Sequence, residues 1–470
     1  MWVDEIKFTE DRPKYIEIYF KIKDMIEKEL IEDGDKLPTI RKLSEELNVN
    51  KITVINAYKK LQSEGYAYQK IGSGTYAKRK EINFNFRREY SKTFKIIESK
   101  NYNFVDFTGE TTKEILFPIK DFKEIINKVL DRDGEEVLLS HSTFGYKPLR
   151  STINNAFWKN KKELENILIV SGAQQGIDIC SKAIININDN VVVEKPTYGG
   201  ALSVFKWRKA NIFEIQIEDD GIDVEALEKI LKNHRIKALY VMSYFQNPTG
   251  VSYSLEKKKK ILDLANKYDF YIIEDDYLSE LIYEQTLEYV PFKKLDIYDR
   301  VIYIKSFSKI FLPGIRLGYM ITPTIFRENF LKSKLNTDIS TSSLMQRALE
   351  YYIKNCKWKE NILLLSKEYK KRYKTMDKEI EKNLSKYVEY KKPKGGLNFY
   401  LKLKEDKINS IELFLRLREK KVFITPGIMF FKNKKDGDKF FRIGFFQTDV
   451  EKIKEGIKKI KEELDGVYNN

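Results

Sequence analysis

Five short apolar segments lie between residues 166 and 307, and they constrain the fold more than any other feature of the sequence. They read NILIVSG at 166–172, NVVVEKP at 190–196, ALYVMSY at 238–244, FYIIEDD at 270–276 and VIYIKSF at 301–307. Helical stretches separate them. Because short, continuously apolar strands are typical of sheets buried on both faces, the pattern predicts a large α/β domain built around a mostly parallel sheet.

This pattern begins at about residue 104 and changes after about residue 390. There GGLNFYLKL, KVFITPG and KFFRIGF alternate with two helical stretches. We therefore predict one domain over 104–467 that includes a smaller α+β subdomain over about 390–467. A chain of 470 residues is longer than a single hydrophobic core usually supports, so a further domain is expected before residue 104.

The N-terminal region has the pattern of three helices. Apolar spacing predicts the first over 14–32. In LPTIRKLSEELNVN, Thr39 can cap a second, short helix. After a turn at 48–50, a third helix is predicted to begin at Lys51 and to stop at Gly65. Two of these helices, joined by a short turn, form a helix-turn-helix.

A hairpin follows the third helix. The segment YAYQKIGSGTYAK at 66–78 alternates aromatic and polar residues on both sides of a Gly-Ser-Gly turn, which predicts two antiparallel strands. Helices and hairpin together predict a winged helix-turn-helix over 1–78. Residues 79–103 are charged and aromatic without clear periodicity, and we interpret them as a linker.

Charge is distributed unevenly along the chain. The formal net charge is +16, yet residues 1–35 hold 6 Lys and Arg against 11 Asp and Glu, whereas residues 36–80 hold 10 against 3. Lysine-rich runs elsewhere, such as 256–264, are typical of solvated helix faces. The basic block over 36–80 instead favours a DNA-binding surface.

Several functional classes are disfavoured by what the sequence holds. No apolar run reaches the roughly 18 residues that span a bilayer, and the first residues lack the pattern of a signal peptide. The cysteines, Cys180 and Cys356, and the histidines, His141 and His234, are few and far apart. This argues against disulfides, zinc and Ser-His or Cys-His catalysis. We expect a cytoplasmic protein.

The segment over 14–78 resembles the winged helix-turn-helix of GntR-type regulators, through LPTIRKLSEELNVNKITVINAYKKLQSEGY and IGSGTY. The resemblance implies double-stranded DNA as partner, with the second helix of the motif in the major groove. The residues it implies at DNA are Arg41, Asn50, Lys51, Ile52, Thr53, Ile71 and Gly72. Lys51 stands where the family commonly has arginine, so phosphate binding is better supported there than base reading. Taken singly, Arg41 or Lys51 is better interpreted as an ordinary exposed charge, and it is the combined motif that favours DNA binding.

Four segments of the larger domain resemble the fold-type-I pyridoxal-phosphate aminotransferases. They are SGAQQG at 171–176, NPTG at 247–250, EDDY at 274–277 and SFSKIFLPGIRLGY at 306–319. Each lies at or just after the end of a predicted strand, where open parallel sheets bind their ligands. The resemblance implies the same fold and pyridoxal 5'-phosphate as cofactor.

The resemblance also implies a role for individual residues. Lys309 is the lysine whose amine would form a Schiff base with the cofactor aldehyde. The residues implied to hold the phosphate are Ala173, Gln174, Ser306, Ser308 and Arg316. Those implied to hold the ring are Tyr198, which would stack on it, Asp275, which would keep its nitrogen protonated, and Asn247 and Tyr277, which would bond its phenolic oxygen. The alternative that Glu274, Asp275 and Asp276 chelate a metal lacks any further ligand cluster.

Arg442, in FFRIGF, aligns with the arginine that pairs with the substrate carboxylate in this family. The alternative is a structural salt bridge. A carboxylate role implies an amino acid or a similar carboxylated amine as ligand.

A GntR-type reader joined to an aminotransferase-like domain resembles the MocR subfamily of transcription regulators. The resemblance implies a head-to-tail homodimer that responds to vitamin B6 or to an amino-acid-like effector. Binding of such an amine would release Lys309, draw in Arg442 and close the small subdomain. Two features depart from the subfamily: Gly199 and Gly200 follow Tyr198 where many members have arginine, and either Ser140 or His141 occupies the position of a cross-subunit tyrosine.

Three functions are therefore compatible with the sequence. The first is a regulator whose aminotransferase-like domain senses an amine. The second is a working aminotransferase that carries a DNA-binding module, since every residue required for transamination is present. The third is a sensor of pyridoxal phosphate itself. The intact reader favours regulation, because a metabolic enzyme gains nothing obvious from it.

Overall fold

The computed structural model describes residues 13–27, 31, 34–70, 72–78, 90, 104–109, 119–139, 142–283, 287–308, 313–355 and 357–468. The chain divides into two compact units, Met1–Lys100 and Asn101–Asn470. None of the helices described is long and apolar enough to cross a membrane.

The first unit is a winged helix. Its elements are α1 (Lys14–Glu27), α2 (Ile40–Glu46), α3 (Lys51–Ser63), β1 (Ala67–Lys70) and β2 (Gly74–Ala77). Thr39 caps α2 by accepting from the backbone N–H of Lys42, and Gly65 has a φ of 81° just after α3. The strands pair antiparallel from Ala67 opposite Ala77 to Lys70 opposite Gly74. The apolar faces of the helices share one core with the base of the hairpin.

The second unit contains twelve helices in the part of the chain described. They are α4 (Ile119–Asp133), α5 (Lys147–Trp158), α6 (Ala173–Ile184), α7 (Gly199–Trp207), α8 (Val224–Asn233), α9 (Leu255–Lys267), α10 (Phe292–Leu295), α11 (Arg327–Asp338), α12 (Ser343–Lys354), α13 (Lys357–Leu384), α14 (Ser410–Glu419) and α15 (Val450–Tyr468).

A central sheet of eight strands organises this unit. The strands are β4 (Ile167–Val170), β5 (Asn190–Lys195), β6 (Asn211–Glu218), β7 (Gly221–Ile222), β8 (Ile236–Val241), β9 (Tyr271–Asp276), β10 (Val301–Ser306) and β11 (Gly318–Ile321). Their order is β4-β11-β10-β9-β8-β5-β6-β7. The strands β6, β5, β8, β9 and β10 run parallel, whereas β11 and β7 run antiparallel to their neighbours.

All five predicted apolar segments are strands of this sheet, as β4, β5, β8, β9 and β10. Two core clusters cover its faces, which explains why these strands are apolar along their whole length. Because β4, β5, β8, β9 and β10 all point the same way, the segments that follow them gather at one edge. The pocket described below lies there.

A smaller sheet forms near the C-terminus. Its strands are β12 (Val388–Tyr390), β13 (Asn398–Leu403), β15 (Thr425–Pro426) and β16 (Phe440–Gly444), in the order β12-β13-β16-β15 and all antiparallel. Beside it, β3 (Val105–Asp106) pairs parallel with β14 (Val422–Phe423). The segment 104–109, which follows the predicted linker, is thus joined to C-terminal residues. The sequence did not indicate this pairing, because two-residue strands show no periodicity.

Candidate functional site

A cavity of about 200 Å³ lies at the carboxyl ends of the parallel strands. It is lined by Thr108, Gly109, Ala173, Gln174, Tyr198, Met242, Asn247, Asp275, Tyr277, Ser306, Ser308, Arg316, Leu397, Asn398, Arg442 and Phe446. The structure therefore brings together in one cavity all nine described residues that the sequence predicted for the cofactor, together with Arg442. Lys309, Ser140 and His141 lie outside the described residues.

One part of the cavity is suited to a phosphate group. The turn between β4 and α6 has a φ of 92° at Gly172, and a Cβ there would lie 3.0 Å from a guanidinium nitrogen of Arg316. Only glycine lets that guanidinium approach the backbone so closely. A guanidinium nitrogen of Arg316 is also 3.5 Å from the hydroxyl oxygen of Ser308. The backbone N–H of Ser308 donates to Ser306 Oγ at 3.2 Å. The guanidinium of Arg316, the hydroxyls of Ser306 and Ser308 and the backbone N–H groups in the first turn of α6 together offer hydrogen-bond donors to a dianion.

A buried carboxylate lines another part of the cavity. Asp275 on β9 is 2% exposed and accepts a hydrogen bond of 2.7 Å at Oδ2 from the hydroxyl of Tyr240. Its Oδ1 has no partner among the residues described. Burial raises the pKa of Asp275 to about 7, although the bond from Tyr240 opposes the shift. A protonated ring nitrogen would give Oδ1 its missing donor and would return the carboxyl to its ionised form.

Three further cofactor candidates line the same cavity. The Oδ1 atom of Asn247 accepts from Arg442, so only its amide nitrogen can donate to a phenolic oxygen. The hydroxyl of Tyr277 donates to the carbonyl of Phe245 at 2.8 Å. To bond to the phenolic oxygen of the cofactor, this hydroxyl would have to turn its hydrogen away from that carbonyl. Tyr198 precedes α7 and is partly buried against the core.

The absence of an arginine after Tyr198 has a steric reason. A Cβ at Gly199 would lie 2.5 Å from the carbonyl oxygen of Met429, and one at Gly200 would lie 2.3 Å from Gln174 Oε1. Real Cβ atoms do not approach that closely. The contact at Gly199 is with backbone, so a side chain there would require the chain to shift, whereas the contacts at Gly200 are with side chains. As glycines, neither residue can supply a second carboxylate contact.

Arg442 is buried and is held by neutral groups. Its Nη1 donates to Asn247 Oδ1 at 2.7 Å, and its Nη2 donates to the carbonyl of Thr108 at 2.6 Å and to Thr425 Oγ1 at 3.3 Å. Its Nε has no partner among the described residues, and no carboxylate is within ion-pair distance in that part of the chain. The predicted alternative, a structural salt bridge, is not what these contacts show.

The neighbours of Asp275 on β9 face other groups. Glu274 accepts from Ser243 and from the backbone N–H groups of Phe292 and Lys293. Asp276 pairs with Lys305 at 3.1 Å. Alternate residues of a strand point to opposite faces, so the three carboxylates do not converge. No group of three or more potential metal ligands occurs among the residues described.

Lys305 directly precedes the segment 306–319 that contains Lys309, and its amine is already engaged. It is 2% exposed and donates to Asp276 at 3.1 Å, to Ser279 at 2.9 Å and to Glu280 at 2.8 Å. An amine held by two carboxylates keeps its proton and is a poor nucleophile. This supports the prediction that Lys309 carries the cofactor.

Several residues in and beside the cavity were not predicted from the sequence or were interpreted only as strand. Tyr240 orients Asp275 from the neighbouring strand, and Thr108 with Gly109 reaches the cavity from the segment after the linker. Asn398 begins β13 in GGLNFY, a segment that we interpreted only as a strand. The double glycine was the available signal, since a Cβ at Gly395 would lie 2.3 Å from Phe245.

The first unit presents its predicted DNA residues on and around α3. Asn50 is the N-cap of α3 and accepts from the N–H of Ile52 at 3.0 Å. Lys51 is exposed, Ile52 is 63% exposed and Thr53 is half-buried. Arg41 projects from α2, with its side chain 80% exposed and paired with Glu45 at 2.9 Å. In the wing, Gly72 is exposed with a φ of 76°, whereas Ile71 lies outside the described residues.

Ile52, at the start of the predicted recognition helix, is exposed although an isoleucine side chain gains nothing from contact with water. Its neighbours on the same turn are Lys51 and the N-capping Asn50. The side-chain oxygen of Asn50 accepts the capping hydrogen bond, so this side chain is less able to contact a base.

Fold and cavity together define a pyridoxal-phosphate-binding domain of aminotransferase type, attached to a winged-helix DNA reader. Two family models match the chain: "Aminotransferase class I and II" over 112–460, and "Bacterial regulatory proteins, gntR family" over 14–77. The chain therefore belongs to the class I and II aminotransferase family and carries a GntR-type DNA-binding domain, a combination consistent with the MocR subfamily of transcription regulators. Its cofactor is pyridoxal 5'-phosphate.

The individual relatives fall into two groups, which are aminotransferases and HTH-type transcriptional regulators. Aromatic-amino-acid aminotransferase 1 of Thermococcus litoralis is 31% identical over 80% of this chain and 91% of its own length. The HTH-type transcriptional regulator YdeL of Bacillus subtilis is 27% identical over 96% of this chain and 97% of its own. The crystal structure of LysN, an α-aminoadipate aminotransferase of Thermus thermophilus complexed with N-(5'-phosphopyridoxyl)-L-leucine, is 27% identical and covers 82% of this chain and 95% of its own, with a TM-score of 0.74.

Proposed function

We propose that this DNA-binding regulator senses an amino acid, or a similar carboxylated amine, in the cavity of its aminotransferase domain. The observation that carries the proposal is Arg442. A guanidinium that is 7% exposed and has only neutral partners among the described residues can bind an anion without first breaking an ion pair. A carboxylate matches the planar fork of donors better than any other small anion that accompanies an amine.

Pyridoxal phosphate, when bound, supplies an aldehyde that exchanges one primary amine for another. The chain's own residues then set what is recognised. Arg316 with Ser306 and Ser308 would hold the phosphate, Asp275 would hold the ring nitrogen, and Arg442 would hold the effector carboxylate. An effector that satisfies both the aldehyde and Arg442 must carry an amine and a carboxylate on one small molecule.

A route from the effector to the DNA reader follows from the contacts of Arg442. Its partner Thr108 belongs to the segment 104–109, whose own contacts are specific: Thr108 donates to Asp106 through N–H at 2.8 Å and Oγ1 at 2.6 Å, and Thr448 donates to the carbonyl of Asp106 at 2.6 Å. A carboxylate that draws Arg442 away from the Thr108 carbonyl would loosen the segment from which the chain continues, through the predicted linker 79–103, to the reader. In the effector-free state Arg442 bonds to the Thr108 carbonyl, and in the effector-bound state it bonds to the carboxylate instead. This exchange is what would let the effector favour one state over the other.

We propose further that the protein works as a head-to-tail homodimer in the cytoplasm, where it binds a repeated operator. One winged helix reads only a half-site, so two heads are needed for a specific operator. In such a dimer, Ser140 or His141 would stand in place of the family's tyrosine, which reaches the phosphate bound by the neighbouring subunit.

The proposal is tested by measuring binding to DNA upstream of the protein's own gene and its neighbours, by fluorescence anisotropy at fixed salt. Each of the twenty amino acids is added to the cofactor-loaded protein. We expect one or a few to change the DNA affinity, with negligible production of keto acid in the presence of 2-oxoglutarate. Sustained turnover would instead establish a working aminotransferase, and a change produced by pyridoxal phosphate alone would establish a vitamin sensor.

The attachment of the cofactor has its own expected result. Reduction of the loaded protein with borohydride, followed by peptide mapping, should place a single phosphopyridoxyl group on Lys309. Lys305 is the obvious competitor in sequence, but its amine is buried between two carboxylates. A label on Lys305 or on any other lysine would contradict the assignment.

Replacement of Lys51 should weaken DNA binding uniformly across sequences. An exposed cation at the start of α3 is placed for a phosphate contact, so Lys51→Met should lower the slope of log affinity against log salt by about 1 and leave the preferred sequence unchanged. Lys59→Met is the matched control, because Lys59 is also exposed on α3 but lies two turns further along. Equal losses for the two variants would show that only net charge matters, and altered sequence preference would show base reading by Lys51.

A further inference from the structure

A buried lysine lies behind the turn that carries the candidate phosphate site. Lys334 on α11 is fully buried, and its ammonium donates to Thr341 Oγ1 at 2.7 Å, to the carboxylate of Asp338 at 2.8 Å and to Gln175 Oε1 at 3.3 Å. None of these three partners lines the cavity. An ammonium with three acceptors and no water is costly to bury unless all of its donors are used, which they are here.

The partners of Lys334 connect it to the β4–α6 turn. Gln175 Oε1, which accepts from Lys334, also accepts from the backbone N–H of Ser171 at 2.7 Å. Gln175 Nε2 donates to Asp338 at 2.7 Å, and the hydroxyl of Ser171 approaches the same carboxylate at 3.3 Å. Ser171, the first residue of the turn, is therefore held by Gln175 through its N–H and by Asp338 through its hydroxyl. Gly172, which packs on Arg316, is the next residue along the chain.

The backbone beside Asp338 shows that this arrangement has a conformational cost. Ile339 has a φ of 63° and a ψ of −60°, a conformation that a β-branched residue adopts only under strain. Its side chain is 64% exposed, so the strain is not offset by burial of the isoleucine. The N–H of Ser340 returns to the carbonyl of Asp338 at 2.6 Å and closes the turn. The strained turn ends α11 where the carboxylate of Asp338 meets Lys334 and Gln175.

We infer that Lys334 is a positioning residue for the cofactor phosphate: with Asp338 and Gln175 it holds the Ser171-Gly172 turn in the shape that lets Arg316 and the start of α6 receive the phosphate. The inference rests on the proposed placement of the phosphate at this turn. It assigns to Lys334 no contact with the cofactor. Its charge is compensated by Asp338, so it acts through geometry rather than through attraction of the dianion.

The experiment compares pyridoxal phosphate with pyridoxal, which lacks the phosphate, in absorbance titrations of the cofactor-free protein. Lys334→Met should lower the affinity for pyridoxal phosphate about tenfold and leave that for pyridoxal unchanged, since only the phosphate meets the turn. Gln175→Met should produce the same selective loss. Lys182→Met is the matched control: Lys182 forms an i,i+4 pair with Asp178 on α6 and bonds to Thr337 on α11, but it bonds to neither Gln175 nor Asp338, and its replacement should change neither affinity.

Arg316→Met separates the inference from the placement on which it rests. If Arg316→Met loses the preference for the phosphorylated form whereas Lys334→Met and Gln175→Met keep it, the phosphate lies at the turn and the role of Lys334 is wrong. If Arg316→Met also keeps the preference, the placement itself fails and the inference fails with it. Equal losses for both ligands in Lys334→Met and Gln175→Met would show a general structural role. Should Lys334→Met not fold, as judged by its thermal transition, Gln175→Met decides alone.

Discussion

Replacement of Arg442 by methionine should abolish most of the response to the effector while the cofactor and DNA still bind. The guanidinium would make two charge-assisted hydrogen bonds to a carboxylate, together worth about 3 kcal/mol, so the affinity for the most effective amino acid should fall about 100-fold. The affinity is read from the effector concentration that half-changes DNA binding. The absorbance of the bound cofactor should be unchanged, because the residues that would hold the phosphate and the ring nitrogen do not include Arg442.

Two controls show whether the loss belongs to the carboxylate. Arg442→Lys keeps the charge but not the fork, so it should recover only part of the affinity. The decarboxylated analogue of the same amino acid should bind wild type and Arg442→Met equally. Arg416→Met changes an exposed arginine of α14, paired with Glu412, and should have no effect. If Arg442→Met discriminates against the decarboxylated analogue as strongly as wild type does, another residue binds the carboxylate.

The candidate cofactor residues named from the family resemblance line one cavity, because many of them lie at or just after the carboxyl end of a strand. Parallel strands bring their carboxyl ends together, so a resemblance that places Asn247, Asp275 and Ser306 near strand ends is enough to expect one site without knowledge of the strand order. What the sequence could not show were contacts made by short or distant segments. Thr108 reaches Arg442 across 334 positions through a strand of only two residues.

Side-chain pairing across the sheet was equally invisible. Tyr240 lies on β8 and bonds to Asp275 on β9 because those strands are neighbours, and neighbour relations in a sheet follow from its topology rather than from local pattern. The glycines after Tyr198 illustrate the converse. The sequence showed that arginine is missing there, and only the structure shows that Met429 and Gln174 pack against those glycines.

Asp275→Asn should have opposite effects on the cofactor-free and the cofactor-bound protein. In the cofactor-free protein burial raises the pKa of Asp275 from 3.8 to about 7, so the folded state holds a proton that the unfolded state has already lost. Stability therefore falls as the pH rises from about 4 to about 7, and above that window the ionised carboxylate costs on the order of 4 kcal/mol. Asparagine does not titrate and avoids this cost.

The expected result is a cofactor-free Asp275→Asn protein whose aminotransferase domain unfolds at a higher temperature than wild type at pH 8, with the difference shrinking towards pH 4. Calorimetry over that pH range measures it. Asp178→Asn, on a half-buried residue of α6 that pairs with Lys182, is the control and should not raise the unfolding temperature at pH 8. A wild-type transition that is independent of pH between 4 and 8 would contradict the raised pKa.

With pyridoxal phosphate the order should reverse. An ionised Asp275 accepts from a protonated ring nitrogen, and an amide oxygen in its place loses the charge-assisted part of that bond, so Asp275→Asn should bind the cofactor about tenfold more weakly. A carboxylate that is unfavourable in the empty domain and favourable in the loaded one makes folding and cofactor binding depend on each other. Were the variant to be stabilised by the cofactor as much as wild type is, the ring nitrogen would not lie at Asp275.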